Sequence, residues 1–286
     1  MRRPRPRHLY RLATNPAARE RWRRERFLDA ATAEGVDAIG VRDDRGHTYY
    51  IDPRDATIGR LIFVEGSYEA VVFDRAAAVL DMHPDQVLDI GANVGTATVE
   101  LLDRFHGAKG IAFEPDQRNC KLLAQTLIAN DLHDRVTIMP LALSDADGIV
   151  DFELSADNFG DHRVRTTTEP GRFAEHDRPT RSISAQRLET LVRDGDIKLG
   201  SRVLTCLDAQ GHEGHILVGG PVLLQHPLIV EFWPYGLRRA GGYDRFLEAV
   251  EASTIVVLDE TQRTATTDDL RAMDLGDGHT DLLIHP

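Results

Sequence analysis

The chain has 286 residues, with 34 basic and 46 acidic side chains and a formal charge of −12. Apolar residues make up 42% and charged residues 28%, and a chain this long buries roughly 75% of its unfolded surface, so collagen-like, disulfide-dense and wholly disordered classes are excluded. The acidic balance argues against a duplex nucleic-acid partner, which needs a basic surface. No apolar run approaches the roughly 20 residues of a bilayer span. Cys120 and Cys206 both sit in apolar segments and suggest core thiols rather than an oxidising compartment, so the expected location is cytoplasmic.

Charge is uneven. Residues 1–26 hold ten arginines against Glu20 and Glu25, a net +8, which leaves −20 on the other 260 residues. No apolar segment follows to make this a secretory signal; a transit peptide and an arm for an anionic partner are the other options, and a solvated arm leading into a helix is the simplest. Residues 1–16 are expected to be irregular because Pro4, Pro6 and Pro16 interrupt them. Residues 17–33 read as a charged helix, which would serve equally as a solvated face or as a surface for a homo-oligomer. Residues 36–42 and 47–51 read as strands joined by Asp43-Asp44-Arg45-Gly46, a hairpin signal. Together residues 1–60 form an N-terminal extension to a main domain over 61–286.

From residue 86 the pattern alternates. Val87–Ile90 is a short apolar run suited to a strand buried on both faces. Val94–Phe105 has helical spacing, and Ile111–Phe113 is a second strand. Cys120, Leu123, Ala124, Leu127 and Ile128 fall on one helical face. Val136–Met139 is a third strand, Ser184–Arg193 a helix, Arg202–Leu207 and Leu228–Val230 two further strands. A helix at Tyr243–Ala252, a strand at Ile255–Leu258 and a closing strand at Leu282–Ile284 complete the order. Such alternation predicts an α/β fold with a doubly wound, Rossmann-like sheet. Residues 148–182 break the rhythm and are expected to be an inserted hairpin or loop; long insertions of this kind are usually functional.

Asp89-Ile90-Gly91-Ala92-Asn93-Val94-Gly95-Thr96 lies where the first strand of this sheet turns into a helix. Ligands of open α/β sheets bind at that edge, and glycine lets the backbone approach them closely. The second strand ends in Glu114, 19 residues beyond Gly95, where a carboxylate can accept both hydroxyls of a ribose. A nucleoside site follows. The dinucleotide fingerprint is incomplete, with Asn93 in place of its middle glycine and the third glycine absent, and there is no phosphate loop. Asp89 would repel a phosphate but suits the cationic end of S-adenosylmethionine, so a methyl donor is favoured over NAD.

Val87–Gly95 resembles the first motif of the FkbM-type S-adenosylmethionine-dependent methyltransferases. Gly66-Ser67-Tyr68-Glu69, Ala112-Phe113-Glu114-Pro115, Ala142-Leu143-Ser144-Asp145, Leu207-Asp208-Ala209-Gln210-Gly211-His212-Glu213 and Ile229-Val230-Glu231 resemble further elements of that family in order, over about residues 60–260. Ala209 departs from a usually larger aliphatic residue. The resemblance implies a seven-stranded class I methyltransferase sheet. It implies that Gly91, Ala92, Asn93 and Gly95 border the methionine part of the donor, that Glu114 holds the ribose and that Ser144 and Asp145 lie near the adenine. Asp89, Tyr68 and Glu69 would line the amino-acid end, and Asp208 would sit near the methyl group. The implied activity is methylation of a hydroxyl on a small molecule or glycan, a sugar or a secondary metabolite. Methylation at nitrogen or of a protein side chain, a non-catalytic donor-binding module and a nucleotide-dependent oxidoreductase are the alternatives.

Methyl transfer to oxygen needs an acceptor held in line and a base for the hydroxyl proton. His212 is one candidate, Asp208 a second, and His162 in Asn158-Phe159-Gly160-Asp161-His162-Arg163 a third should the insertion fold over the donor. Glu213 would otherwise cap the following helix. Phe232-Trp233-Pro234-Tyr235 offers an aromatic acceptor wall. Asp161, His162, Asp208 and Glu231 also offer mainly hard oxygen ligands to a divalent cation such as Mg2+, although no Cys/His zinc spacing is present.

Overall fold

A computed structural model of the protein describes residues 15–286; the proline-interrupted segment expected over 1–16 lies almost wholly outside them. The charged helix spans Pro16–Ala33, capped by the Asn15 side chain with proline at its first position. A hairpin follows, β1 (Ile39–Arg42) against β2 (Thr48–Ile51), then helices Ile58–Glu65 and Ala70–Val79. β3 (Gln86–Ile90), helix Thr96–Arg104, β4 (Lys109–Phe113), helix Gln117–Ala129 and β5 (Val136–Met139) form the first half of the main sheet. The short β6 (Ala142–Leu143), β7 (Gly148–Glu153), β8 (Arg163–Val164) and β9 (Thr180–Gln186) come next, and then helix Leu188–Asp194. The second half is β10 (Val203–Leu207), helix Glu213–Gly219, β11 (Leu228–Phe232), helices Pro234–Ala240 and Tyr243–Val250, β12 (Thr254–Val257), β13 (Thr264–Ala265), helix Thr267–Ala272 and β14 (Thr280–His285).

The main sheet runs β13-β12-β14-β11-β10-β3-β4-β5. β5, β4, β3, β10 and β11 are mutually parallel, and β14 inserts antiparallel between β11 and β12. This is the doubly wound α/β arrangement expected from the sequence. The two-residue edge strand β13 makes the sheet eight-stranded rather than seven. Every residue of β3 and β10 is buried, as expected of parallel strands covered on both faces. One apolar layer, including Val99, Leu123 and Leu127, packs on one side, and another, including Leu217, Phe232 and Phe246, on the other.

The extension is not loosely attached. Leu28, Val41, Tyr49 and Ile51 share the first layer with Val99 and Leu123. The β2 edge is hydrogen-bonded by Thr126 Oγ1, which accepts from the Tyr50 N–H at 3.0 Å, and by Asn130, which bridges both backbone groups of Thr48.

Two local expectations need correction. Ser184–Gln186 complete strand β9, and the helix starts only at Leu188, because Ile183 and Ala185 alternate into a small apolar cluster under the insertion. The buried face of helix Gln117–Ala129 is Asn119, Leu122, Leu123, Thr126 and Leu127; Ile128 is 60% exposed. The 148–182 insertion is built on the expected hairpin, β7 antiparallel to β9, and it supplies β7, β8 and part of β9 to a four-stranded sheet of order β6-β9-β7-β8.

Candidate active site

The chain leaves β3 outward to β5 and returns to β10 on its other side, so the sheet has its topological switch between β3 and β10, where a ligand is expected beyond the strand ends. The turn after β3 is tightly determined. The N–H groups of Gly91 and Ala92 both donate to the Phe113 carbonyl at 3.0 Å. Gly91 has φ +90°, and a Cβ there would overlap the Asp208 carbonyl oxygen. Only glycine lets the β3 and β10 ends meet this closely. Asp89 lies beneath the turn, accepting a hydrogen bond from Thr98 Oγ1. Burial lifts its carboxyl to about 6.

Glu114 is 4% exposed. Its two oxygens accept from the Asn93 N–H at 2.9 Å and the Asp116 N–H at 2.7 Å, so it ties the first turn to the second. Burial pushes it up to about 8, and each oxygen keeps a lone pair for a further donor. Asn93 sits in the left-handed region (φ 49°), and both polar atoms of its side chain are buried without a partner.

The β10 end makes a second turn. Glu213 Oε1 accepts from the N–H groups of Ala209 and Gly211 at 2.9 and 3.1 Å, so it braces this turn. Gln210, at φ 53°, donates to Asp208 Oδ1 at 2.7 Å and to Glu231 Oε2 at 3.3 Å. Burial raises Asp208, and burial with the neighbouring Asp208 carboxylate raises Glu231 well above its ordinary value.

Two clefts meet here. The first is lined by Gly91, Asn93, Glu114, Asp208 and His212, with Phe113, Leu141, Ala142 and Leu143 as apolar walls, and is covered by Phe152, Phe159, Gly160 and His162 of the insertion. The second is lined by Tyr68, Asp208, Glu231, Phe173, Trp233 and His279. Gly160, Asp208 and Gln210 line both.

The insertion is held over the first cleft by buried ion pairs. Glu153 faces Arg163, Arg165 and Arg178. Glu175, 0% exposed, faces Arg163 and Arg239 and accepts a hydrogen bond from Tyr235 Oη. Arg163 and Arg178 also pin Asp161. No three of Asp161, His162, Asp208 and Glu231 bring ligand atoms within 4.8 Å of one another, so the Mg2+ quartet expected from the sequence does not assemble: Asp161 is spent on arginines.

Both candidate histidines are held by neighbouring groups. His162 Nδ1 accepts from the Ser155 N–H at 3.0 Å, so its proton rests on Nε2, and burial lowers its pKa to about 4. His212 is 4% exposed, its Nε2 2.9 Å from Ser144 Oγ and its ring stacked on His215. Burial lowers it to about 3. Ser144 thus stands behind His212. Asp145 accepts from His215 and Arg245, and neither Ser144 nor Asp145 lines the first cleft. Ala92, Gly95 and Asp89 support the turn without lining a cleft, and Glu69 lies beside Tyr68 at the second. The expected aromatic wall divides: Phe232 is fully buried against Phe246, whereas Trp233 reaches the second cleft. Gln210 and Phe159 stand in motifs singled out from the sequence without a role of their own, and Phe173 and His279 stand in none. Gln210 could have been found from its place two residues after Asp208; Phe173 and His279 carry no local signal.

The first cleft fits a nucleoside-bearing methyl donor. It has apolar walls for a base, the Glu114 carboxylate for ribose hydroxyls, and enclosed polar atoms of Asn93 and of His212 Nδ1 with no partner within the protein. Residues 89–250 match the model of the methyltransferase FkbM domain, more than half of the chain. No curated protein matches in sequence. Similar solved structures include a transferase from Pyrococcus horikoshii, 13% identical over 91% of this chain and 81% of that one, with a TM-score of 0.43. An O-methyltransferase from Bacillus cereus in complex with SAH is 13% identical over 79% and 95%, with a TM-score of 0.42. The O-methyltransferase TomG from Streptomyces achromogenes is 11% identical over 76% and 78%, with a TM-score of 0.42. With the strand order, the two turns and this match together, the chain belongs to the FkbM family of S-adenosylmethionine-dependent methyltransferases.

Proposed function

We propose that the protein methylates a hydroxyl oxygen of a small polyhydroxylated acceptor, a sugar or a secondary metabolite, bound in the second cleft. The observation that carries this is the position of Asp208 and Gln210, which line both clefts. Bound S-adenosylmethionine supplies an electrophilic methyl carbon on a good leaving group. Gly91, Asn93 and Glu114 hold the donor; the covering insertion excludes water from it. Tyr68 and Trp233 give the acceptor apolar faces to lie against, and Asp208 and Glu231 accept its hydroxyls. Asp208 takes the hydroxyl proton at a carboxylate oxygen. Its raised pKa improves it as a base near neutral pH. Gln210 orients that carboxylate through its 2.7 Å hydrogen bond. His162, with its proton on Nε2, presents a donor to the cleft, and His212, held by Ser144, presents its unpartnered Nδ1; both serve donor binding rather than proton abstraction.

The test is to incubate the protein with S-adenosylmethionine and separate panels of hydroxylated and amine acceptors, following S-adenosylhomocysteine release. Carbon NMR of the methylated product separates a methoxy from an N-methyl carbon. Turnover on amines alone would overturn the oxygen assignment, and binding of the donor without turnover on any member would favour a non-catalytic module.

A further inference from the structure

Apart from the residues that line the clefts, three side chains converge that no part of the mechanism uses. Asp43 and His47 come from the turn of the β1–β2 hairpin, and Glu100 from the helix. The Asp43 and Glu100 side chains are each 2% exposed and that of His47 is 12% exposed. One oxygen of each carboxylate is already committed: Asp43 Oδ1 accepts from the Arg45 and His47 N–H groups at 3.0 and 2.7 Å, and Glu100 Oε2 accepts from Arg104. The other two oxygens turn toward His47 Nδ1. Asp43 Oδ2 lies 3.4 Å and Glu100 Oε1 3.6 Å from it. These separations are longer than hydrogen bonds, and the enclosed Nδ1 has no hydrogen-bond partner.

The spacing suits ligands of one ion. Zinc bonds to nitrogen and oxygen of about 2.0–2.2 Å in a tetrahedral set place neighbouring ligand atoms about 3.4 Å apart. The three atoms lie within 4.8 Å of one another. The other ring nitrogen, Nε2, is 3.5 Å from Asp103 Oδ2, the outer carboxylate that commonly fixes a metal-bound histidine with its proton on the far nitrogen. Arg45 and Arg104 neutralise part of the local charge through Asp74 and Glu100, which leaves Asp43 and Asp103 for a divalent ion to balance.

We propose that Asp43 Oδ2, His47 Nδ1 and Glu100 Oε1 bind a divalent transition-metal ion of the zinc type, with water completing its shell. The ion is structural. It fastens the N-terminal hairpin to the helix that begins just after Gly95, so it supports the donor-binding turn from outside.

The test uses full-length, tag-free protein, stripped with a chelator, then dialysed against ZnCl2 or MnCl2 at pH 7.5 and assayed for bound metal by mass spectrometry. The expected result is about one zinc per chain, a thermal midpoint that rises on zinc addition, and loss of both in His47→Ala and Glu100→Gln. His133→Ala, which removes an exposed histidine, should bind as the parent does. Should the variants fail to fold, nitrogen NMR of the parent's imidazoles is decisive: zinc must shift His47 Nδ1 specifically. Two results overturn the proposal. One is no retained zinc or manganese; the other is a His47 ring protonated on both nitrogens and unmoved by metal, which would make the cluster an imidazolium clasp.

Discussion

At pH 9, above the value of about 8 to which burial raises Glu114, replacing it by glutamine keeps the shape of the side chain and removes its charge. Both carboxylate oxygens accept backbone N–H groups, Asn93 at 2.9 Å and Asp116 at 2.7 Å. An amide can face only one of them with its oxygen, so its NH2 confronts the other N–H. Leaving one buried donor unsatisfied costs about 1–3 kcal/mol of stability, and in a protein of this size each kcal/mol shifts the thermal midpoint by about 2–4 °C. A hydroxyl bonded to a charged carboxylate contributes about 1.5–3 kcal/mol. Donor affinity should therefore fall about 10- to 150-fold, at 1.4 kcal/mol per tenfold. Calorimetric titration with S-adenosylhomocysteine measures the loss, and repeating it with a 2′,3′-dideoxyribose analogue separates contact from distortion. If Glu114 holds the ribose, the parent loses affinity for the analogue and the variant loses almost none. Equal losses in parent and variant, or an unchanged donor Kd beside a lower thermal midpoint, would refute the ribose role and leave Glu114 as a brace between two turns.

Three further outcomes follow from the geometry. Gly91→Ala forces a Cβ onto the Asp208 carbonyl oxygen at a φ of +90°, so donor binding by calorimetry should be abolished and the fold destabilised by about 3 kcal/mol or more; near-normal binding would mean that the β3 and β10 ends are not in contact. Asp208→Asn should lower kcat by about 10²- to 10⁴-fold while donor Kd changes by less than about threefold, and steady-state kinetics on any accepted hydroxyl will show whether the proton acceptor lies elsewhere. Stability should fall between pH 6.5 and 8. Burial raises Glu114 to about 8 and Glu213 to about 7, so the folded state binds more protons than the unfolded state until these groups ionise. The depressed His162 and His212 act in the opposite sense and mainly below pH 6.5, where the unfolded chain binds their protons. Denaturant titrations across this window check the sign, and a stability that climbs from pH 6.5 to 8 would contradict it.

Local sequence determined much of this protein. The apolar runs at β3 and β10 are strands because strands covered on both faces are continuously hydrophobic. Gly91 and Glu114 were legible because a turn against a neighbouring backbone demands glycine, and a strand-end carboxylate recurs at a fixed distance from it. Only the tertiary structure decided the rest. Residues 180–186 carry both a strand and the approach to a helix, and pairing with β7 settled which residues joined which. His162 and His212 are similar in sequence, yet one is fixed by the Ser155 N–H and the other by Ser144; those partners are 7 and 68 residues away, beyond any local spacing. Asp161 was a ligand candidate until Arg178, 17 residues on, claimed it. The second cleft draws Tyr68, Asp208, Trp233 and His279 from four separate parts of the chain, and no periodicity links them. Short-range constraints fix turns and faces; which charges pair and which side chains share a cavity depend on contacts that only the closed sheet brings together.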